Sequence, residues 1–408
     1  MDLDALVGNL ATIREIAGPG VRVEPVVKAD AYGHGAVPVA RALEDAGADG
    51  FGVATVEEAL ELREGGVRRP ILVLYPIAAE LAPDAARHGI AVTVGVGSLL
   101  DELLAVLAER RPDRFGRRPL EVHLEVDTGL GRGGAMPSQV QAAVARLRAA
   151  PGLRLAGIWS HLAAPDDPAR THEQAARFDD AIALVGSDGE VIRHLAATGG
   201  LLDGLVAPYD AVRPGLATYG IVPEGMPLPE ALRGAAARLR PVMSLVARPV
   251  RVAALPAGHG VSYGPSFVTG RESRIATLPV GYGDGWARSL SDNADALVRG
   301  RRVPLVGRVA MDAVIADVTD VPGPPVDEAD EFVLLGRQGD EEITAAELAQ
   351  RRTTISWEVV TGMARRLTRV YHAAGVPGAV RTLKGGRTAW RGSNSGTATS
   401  ASSRSTRS

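Results

Sequence analysis

Residues 23–35 read VEPVVKADAYGHG, a β-branched apolar run that ends on a lysine and passes through two glycines into the next element. The lysine is the anomaly. The 408-residue chain contains only two, Lys28 and Lys384, and arginine supplies every other basic side chain. Lys384 stands in a polar tail, whereas Lys28 ends an apolar run, where a solvated charge does not belong. Seven further runs follow: residues 50–54, 71–75, 90–94, 120–127, 155–162, 191–197 and 211–220. Helical patterns lie between them, as in AVPVARALEDAG (36–47) and TVEEALELREGG (55–66), where Thr55 and Glu58 are spaced as a capping box. Eight strand candidates alternating with helices predict an α/β fold, an N-terminal (β/α)8 TIM-type barrel over residues 1–238.

After residue 238 the texture changes. Short β-rich runs punctuated by glycine and proline, with one helical piece over 344–367, predict a mostly β C-terminal domain over 239–375. Residues 376–408 end in RGSNSGTATSASSRSTRS, a low-complexity stretch with too little apolar surface to order itself, and are expected to form a disordered tail.

Composition narrows the class. The net charge is −3 with a pI near 6.3, and no basic stripe is present, which argues against nucleic acid as a partner. No run of eighteen apolar residues appears and the start, MDLDALVGNL, does not resemble a signal peptide, so no membrane association and a cytoplasmic location are expected. Cysteine is absent, which removes disulfide and thiol chemistry, and no metal is expected.

Active sites of such barrels lie at the C-terminal ends of the strands. Lys28 ends the first strand, Arg132 follows the fifth, His161 ends the sixth, Thr198 with Gly199 and Gly200 follows the seventh, and Arg213, Gly215 and Leu216 fall in or after the eighth. Each alone has an ordinary explanation: a solvated lysine, a rim ion pair, a simple turn. Their convergence on one end of the barrel is what marks them. A primary amine can be deprotonated and can condense with an aldehyde, and a guanidinium does neither. A desolvated strand-end lysine therefore suggests a Schiff base, made either directly with a substrate, as in an aldolase, or with pyridoxal 5'-phosphate. The glycine-rich turns after strands seven and eight favour the second, because backbone N–H groups there can cradle a phosphate.

Seven motifs occur in order from residue 26 onward: VVKADAYGHG, DTGLGRGG, SHLA, VRPGLATYG, VSYG, GYGDG and GRVAMD. Together they resemble the alanine racemases, pyridoxal-phosphate enzymes of the barrel type. The resemblance implies interconversion of L- and D-alanine by two bases, supplying D-alanine for peptidoglycan, with a broad-specificity or serine racemase of the same fold as the alternative. It implies that Lys28 carries the cofactor and is the base on the D-alanine face. Tyr263 would be the base on the L-alanine face, donated by the other subunit of a homodimer. Tyr32 and Thr198 would contact the phosphate beside Gly215 and Leu216, and Arg213 would face the pyridine nitrogen. His161 would link that arginine towards the tyrosine base. Arg132 and, through its backbone N–H, Met311 would bind the substrate carboxylate, Met311 again from across the interface. Tyr282 would line substrate entry.

Four positions depart from the family pattern. Trp357 stands where a tyrosine hydroxyl commonly reaches the phosphate. Ala197-Thr198 replaces a common Asn-Ser pair, retaining a hydroxyl. Glu125 stands where some members carry a carbamylated lysine, and is expected to orient Arg132 without modification. Family members usually begin about ten residues earlier with an additional strand, so an edge strand is expected to be missing here.

Overall fold

The computed structural model describes residues 1–109, 115–116, 118–186 and 191–383. Eight parallel strands form the first layer: β1 (Arg22–Val23), β2 (Phe51–Val53), β3 (Ile71–Pro76), β4 (Ile90–Val94), β5 (Leu120–Glu125), β6 (Leu153–Trp159), β7 (Ile192–Ala197) and β8 (Ala211–Arg213). They hydrogen-bond in the order β1-β8-β7-β6-β5-β4-β3-β2. Beyond β1 the chain leans onto β2, with Gly52 N–H donating to the Pro25 carbonyl and Val27 N–H to that of Gly52, which closes the barrel. Each of the eight runs read from the sequence overlaps one of these strands, and Thr55 and Glu58 do form a reciprocal capping box on the helix Val56–Glu64.

The first and last runs depart furthest from the strands expected of them. The first run is strand only at Arg22–Val23, because Pro25 has no N–H to give a ladder and Lys28 already begins a turn of opposite hand. The last stops at Arg213, before Pro214, and continues as a 3-10 turn over Leu216–Tyr219.

The second layer is antiparallel. Strands β9 (Leu245–Ala247), β10 (Arg251–Leu255), β13 (Ser273–Leu278), β14 (Ala294–Val298), β15 (Arg301–Leu305), β16 (Val314–Asp317), β17 (Phe332–Gln338) and β18 (Glu341–Ile343) pair in the order β10-β13-β16-β15-β14-β17-β18, with β9 also on β17. A short ribbon, β11 (Gly260–Val261) with β12 (Phe267–Val268), projects from it. The helical piece expected over 344–367 is two helices, Ala345–Arg352 and Ser356–Thr361. The break falls at Thr353, which adopts φ +53, followed by the extended Ile355; this β-branched run has little helix propensity to hold the pattern together.

A last hairpin, β19 (Arg369–Ala373) with β20 (Val376–Arg381), extends into residues assigned to the tail by the sequence reading. The remainder of that tail, 384–408, lies outside the described residues. The chain start pairs with β19: the Met1 ammonium donates to the Val370 carbonyl at 2.8 Å, His372 N–H donates to the Met1 carbonyl at 2.8 Å, and Asp2 bridges His372 in parallel. Asp2 then caps the helix Leu3–Ala17. One continuous apolar cluster runs from this helix through the barrel into the antiparallel sheet, so the two layers share a core.

Candidate active site

The strand ends of the barrel open into a cavity of about 580 Å³, the size of a cofactor plus a small substrate. Lys28, Tyr32, Arg132, His161, Thr198, Arg213, Gly215 and Leu216 all line it, together with Trp357 from the C-terminal domain. The barrel topology thus brings together every site residue read from the first 238 positions.

Lys28 and Tyr32 are the two ends of one turn. Ala29, Asp30, Ala31 and Tyr32 all have positive φ, 51 to 56°, a single turn of left-handed helix in non-glycine residues. Such a conformation costs roughly 1–2 kcal/mol per residue relative to the right-handed one and persists only where its surroundings impose it. The surroundings here are specific. Glu58 Oε1 accepts from Ala29 N–H at 2.6 Å, and His34 Nδ1 lies 2.9 and 3.0 Å from the Ala31 and Tyr32 carbonyls. The next glycines admit the C-terminal domain. A methyl on Gly33 would lie 2.2 Å from the Val360 carbonyl oxygen, and one on Gly35 would lie 1.9 Å from the Tyr371 hydroxyl.

Burial and the positive charge of Arg132 lower the pKa of Lys28, outweighing the opposing pull of Glu58. The amine therefore gives up its proton more readily than a surface lysine. At the other end of the turn the Tyr32 hydroxyl reaches Gly215, where a methyl would lie 2.7 Å from it, so only glycine leaves room for the phenol. Thr198 Oγ1 accepts from Gly215 N–H at 2.9 Å and Ala217 N–H at 3.2 Å. Its own proton remains available to an anion. Hydroxyls and backbone thus gather at one end of the cavity, as a phosphate requires.

Arg213 crosses the floor. It is buried, lies 4.7 Å over the Trp159 ring, and donates through Nη2 to the Ser160 and Leu195 carbonyls. Its Nη1 sits 2.5 Å from His194 Nδ1, and His194 Nε2 sits 2.8 Å from His123 Nδ1. Burial first, then the nearby arginines, depress both histidines, His123 to about 3, so the chain is neutral and can accept from Arg213. The resemblance implies that His161 links this arginine towards the tyrosine base. Arg213 itself hydrogen-bonds His194; His161 lines the cavity beside it, held through its backbone carbonyl by Gln174 at 3.1 Å and kept neutral, with a pKa of about 3, by burial and then Arg213. The missed residues carried a signal, since His123 and His194 are the polar members of apolar strand runs.

Glu125 is buried at the end of β5 with Arg132 3.7 Å away. Burial raises its pKa, with Arg132 opposing that rise, and the carboxyl faces the guanidinium from the strand end. Arg132 also lies 5.4 Å over the Tyr75 ring. Trp357 reaches the cavity from the helix Ser356–Thr361, which is tied to the barrel by Ser356 N–H donating to Glu224 at 2.9 Å.

Tyr263, Tyr282 and Met311 do not line this cavity. They are exposed, by 75, 43 and 53 %, and share one surface of the C-terminal domain. Ser262 Oγ donates to the Arg308 carbonyl at 2.6 Å, and Gly283 N–H to that of Met311 at 2.8 Å, so the segment 308–311 joins the three. Ser262, with φ +63, holds a strained conformation directly before Tyr263.

Family models for the N-terminal and C-terminal domains of alanine racemase match residues 1–223 and 242–371. The alanine racemase of Symbiobacterium thermophilum is 42% identical over 376 residues, covering 91% of this chain and 96% of its own. Among solved structures, alanine racemase from Bacillus anthracis with bound L-Ala-P superposes with a TM-score of 0.84 at 32% identity, covering 94% of this chain and 96% of that one. Alanine racemase from Bartonella henselae with covalently bound pyridoxal phosphate gives 0.77 at 28% identity, covering 91% and 98%. With both domain models in order over a barrel that gathers an amine, a buried arginine and an anion cradle into one cavity, this chain belongs to the alanine racemase family.

Proposed function

We propose that the protein interconverts L- and D-alanine by a two-base mechanism, with pyridoxal 5'-phosphate held by Lys28, as a cytoplasmic homodimer supplying D-alanine for peptidoglycan. The observation that carries this reading is the cavity itself: a pKa-lowered amine at one side, a hydroxyl-and-backbone cradle at one end, and a buried guanidinium on the floor. Those donors fit the cofactor's aldehyde, phosphate and ring nitrogen in turn. The cofactor, when bound, supplies the electron sink that lets a proton leave the substrate Cα.

The chain's own residues do the rest. Tyr32 and Thr198, beside Gly215 and Leu216, hold the phosphate. Arg213, fixed by two carbonyls and His194, keeps a positive charge against the ring nitrogen and so discourages its protonation. Arg132, oriented by Glu125 without any modification of that residue, takes the substrate carboxylate. Lys28 Nζ removes or returns the proton on one face of Cα. A second base is needed on the opposite face, because one amine cannot reach both sides of a planar carbon. Tyr263 of the partner subunit fills that role, with Met311 of the partner subunit offering its N–H to the carboxylate and Tyr282 lining the entry. Their exposure on a surface away from this chain's own cavity supports that arrangement. Trp357 supplies an indole where a phenol is common, so it adds wall and one N–H but accepts nothing.

The test is racemisation of L-alanine, L-serine and L-lysine by the purified protein saturated with pyridoxal phosphate. L-alanine is expected to be the preferred substrate. No turnover of L-alanine by yellow, dimeric protein would overturn the reading.

A further inference from the structure

We infer that the C-terminal hairpin is a positioning element for the active site, and that Arg381 acts through Asp30 to hold Lys28 and Tyr32 in register. The inference rests on the assignment of those two residues to the cofactor. Asp30 lies inside the left-handed turn, midway between the amine and the phenol. Its carboxylate is only 9 % exposed. Arg381 Nη1 lies 2.6 and 2.8 Å from its two oxygens, across 351 residues of chain. Arg365 Nε adds a second positive charge at 3.4 Å, and Asp30 Oδ1 also accepts from Ala36 N–H at 2.9 Å.

The same hairpin grips the residues that follow. Arg369 Nε donates to the Gly33 carbonyl at 2.8 Å, and the buried Tyr371 hydroxyl donates to the His34 carbonyl at 2.9 Å. Three side chains of one hairpin thus fix three successive points, Asp30, Gly33 and His34, of a segment whose backbone conformation is intrinsically disfavoured. Arg381 also reaches Glu61, 3.5 Å away on the helix after β2, and Arg365 donates to the same carboxylate. The turn is therefore clamped between the helix after β2 and β20. None of the hairpin residues lines the cavity, so their effect on chemistry passes through the turn. Fixing both ends of one short turn fixes the spacing between the group that holds the cofactor's aldehyde end and the group that holds its phosphate.

The experiment compares Arg381→Gln, Asp30→Asn and their double variant, with Arg381→Lys as the conservative control. Amide exchange over residues 28–35 is read first in cofactor-free protein, then pyridoxal-phosphate affinity by absorbance titration, the visible circular dichroism of the bound cofactor, and kcat. Arg381→Gln is expected to speed exchange in the turn and weaken cofactor affinity, each by about tenfold, with a reduced visible dichroic band. Asp30→Asn should do the same, the double variant should be no worse than either single one, and Arg381→Lys should recover part of the loss. A lowered melting temperature with unchanged exchange in the turn, affinity and dichroism would reduce the hairpin to a structural part and overturn the inference. If Arg381→Gln does not fold, the Asp30→Asn and Arg381→Lys pair carries the same readouts. Wild-type protein that takes up no cofactor would instead overturn the cofactor reading, while exchange in the cofactor-free turn still decides this one.

Discussion

The two proposed bases sit in opposite kinds of surroundings. Lys28 is half-buried, its pKa pulled down by desolvation and Arg132, and it is anchored at the start of a strained turn that other elements clamp. Tyr263 is three-quarters exposed on a two-strand ribbon, and only the twisted residue before it shows constraint. On the proposed mechanism the chain builds one half of a reaction site and leaves the other half as a surface. A surface of that kind acquires a function when a second copy covers it, and a two-fold pair would complete two sites at once.

The comparison breaks most sharply at Lys28. Lys28→Ala should lose at least about 10³-fold in kcat together with the yellow colour, because the amine in the proposed mechanism both holds the cofactor and moves the proton; retained turnover would remove it from the mechanism. Tyr263→Phe should lose about 10²- to 10⁴-fold in racemisation while keeping the colour. The pair then tests where the tyrosine works. Unfolding and refolding Lys28→Ala with Tyr263→Phe should return about one quarter of wild-type activity, since half of the dimers are mixed and each mixed dimer has one intact site of two. No recovery in dimers proven to be mixed would place both bases in one chain.

A smaller effect is expected at Glu125. Glu125→Gln keeps the shape but removes the charge facing Arg132, so KM for alanine should rise roughly three- to tenfold with little change in kcat. Unchanged kinetics would sink the orienting role. The buried half should also carry an acid sensitivity that the exposed half lacks. His34 and His123 are buried neutral, with burial pushing them down to about 4 and about 3. Above pH 7 neither folded nor unfolded chain protonates them. As pH falls below about 6.5 the unfolded chain takes up protons first, so stability falls by about 1.4 kcal/mol per pH unit per histidine until the folded values are reached. Urea midpoints at pH 7 and pH 5 measure this, and a midpoint that rises on acidification would contradict it.

The barrel was legible because its signals are local and repeated: eight apolar runs, a capping box at Thr55, and polar residues at strand ends. The cavity residues from Lys28 to Leu216 followed, since the topology alone sends strand C-termini to one place. Less could be read where the cause is non-local. Nothing around residue 30 announces a left-handed turn, because four alanine, aspartate and tyrosine residues have no preference for it; the constraint arrives from Val360, Arg369, Tyr371 and Arg381. The Arg213–His194–His123 chain was missed for a related reason, since three residues on three strands meet only when the sheet closes. The split at Thr353 was visible in principle as a β-branched cluster inside a helical pattern.

The clamp on the first βα turn has a consequence for the order in which the molecule matures. The barrel strands leave the ribosome first and can pair among themselves, but Arg369, Tyr371 and Arg381 are made more than 330 residues after the turn they grip. A nascent barrel therefore holds its lysine turn through Glu58 and His34 until the hairpin has been made. Truncation just before Arg381 would spare Arg369 and Tyr371 on the preceding strand and yet cut the Arg381 contact with the carboxylate between the amine and the phenol, a distant loss felt at the beginning of the fold.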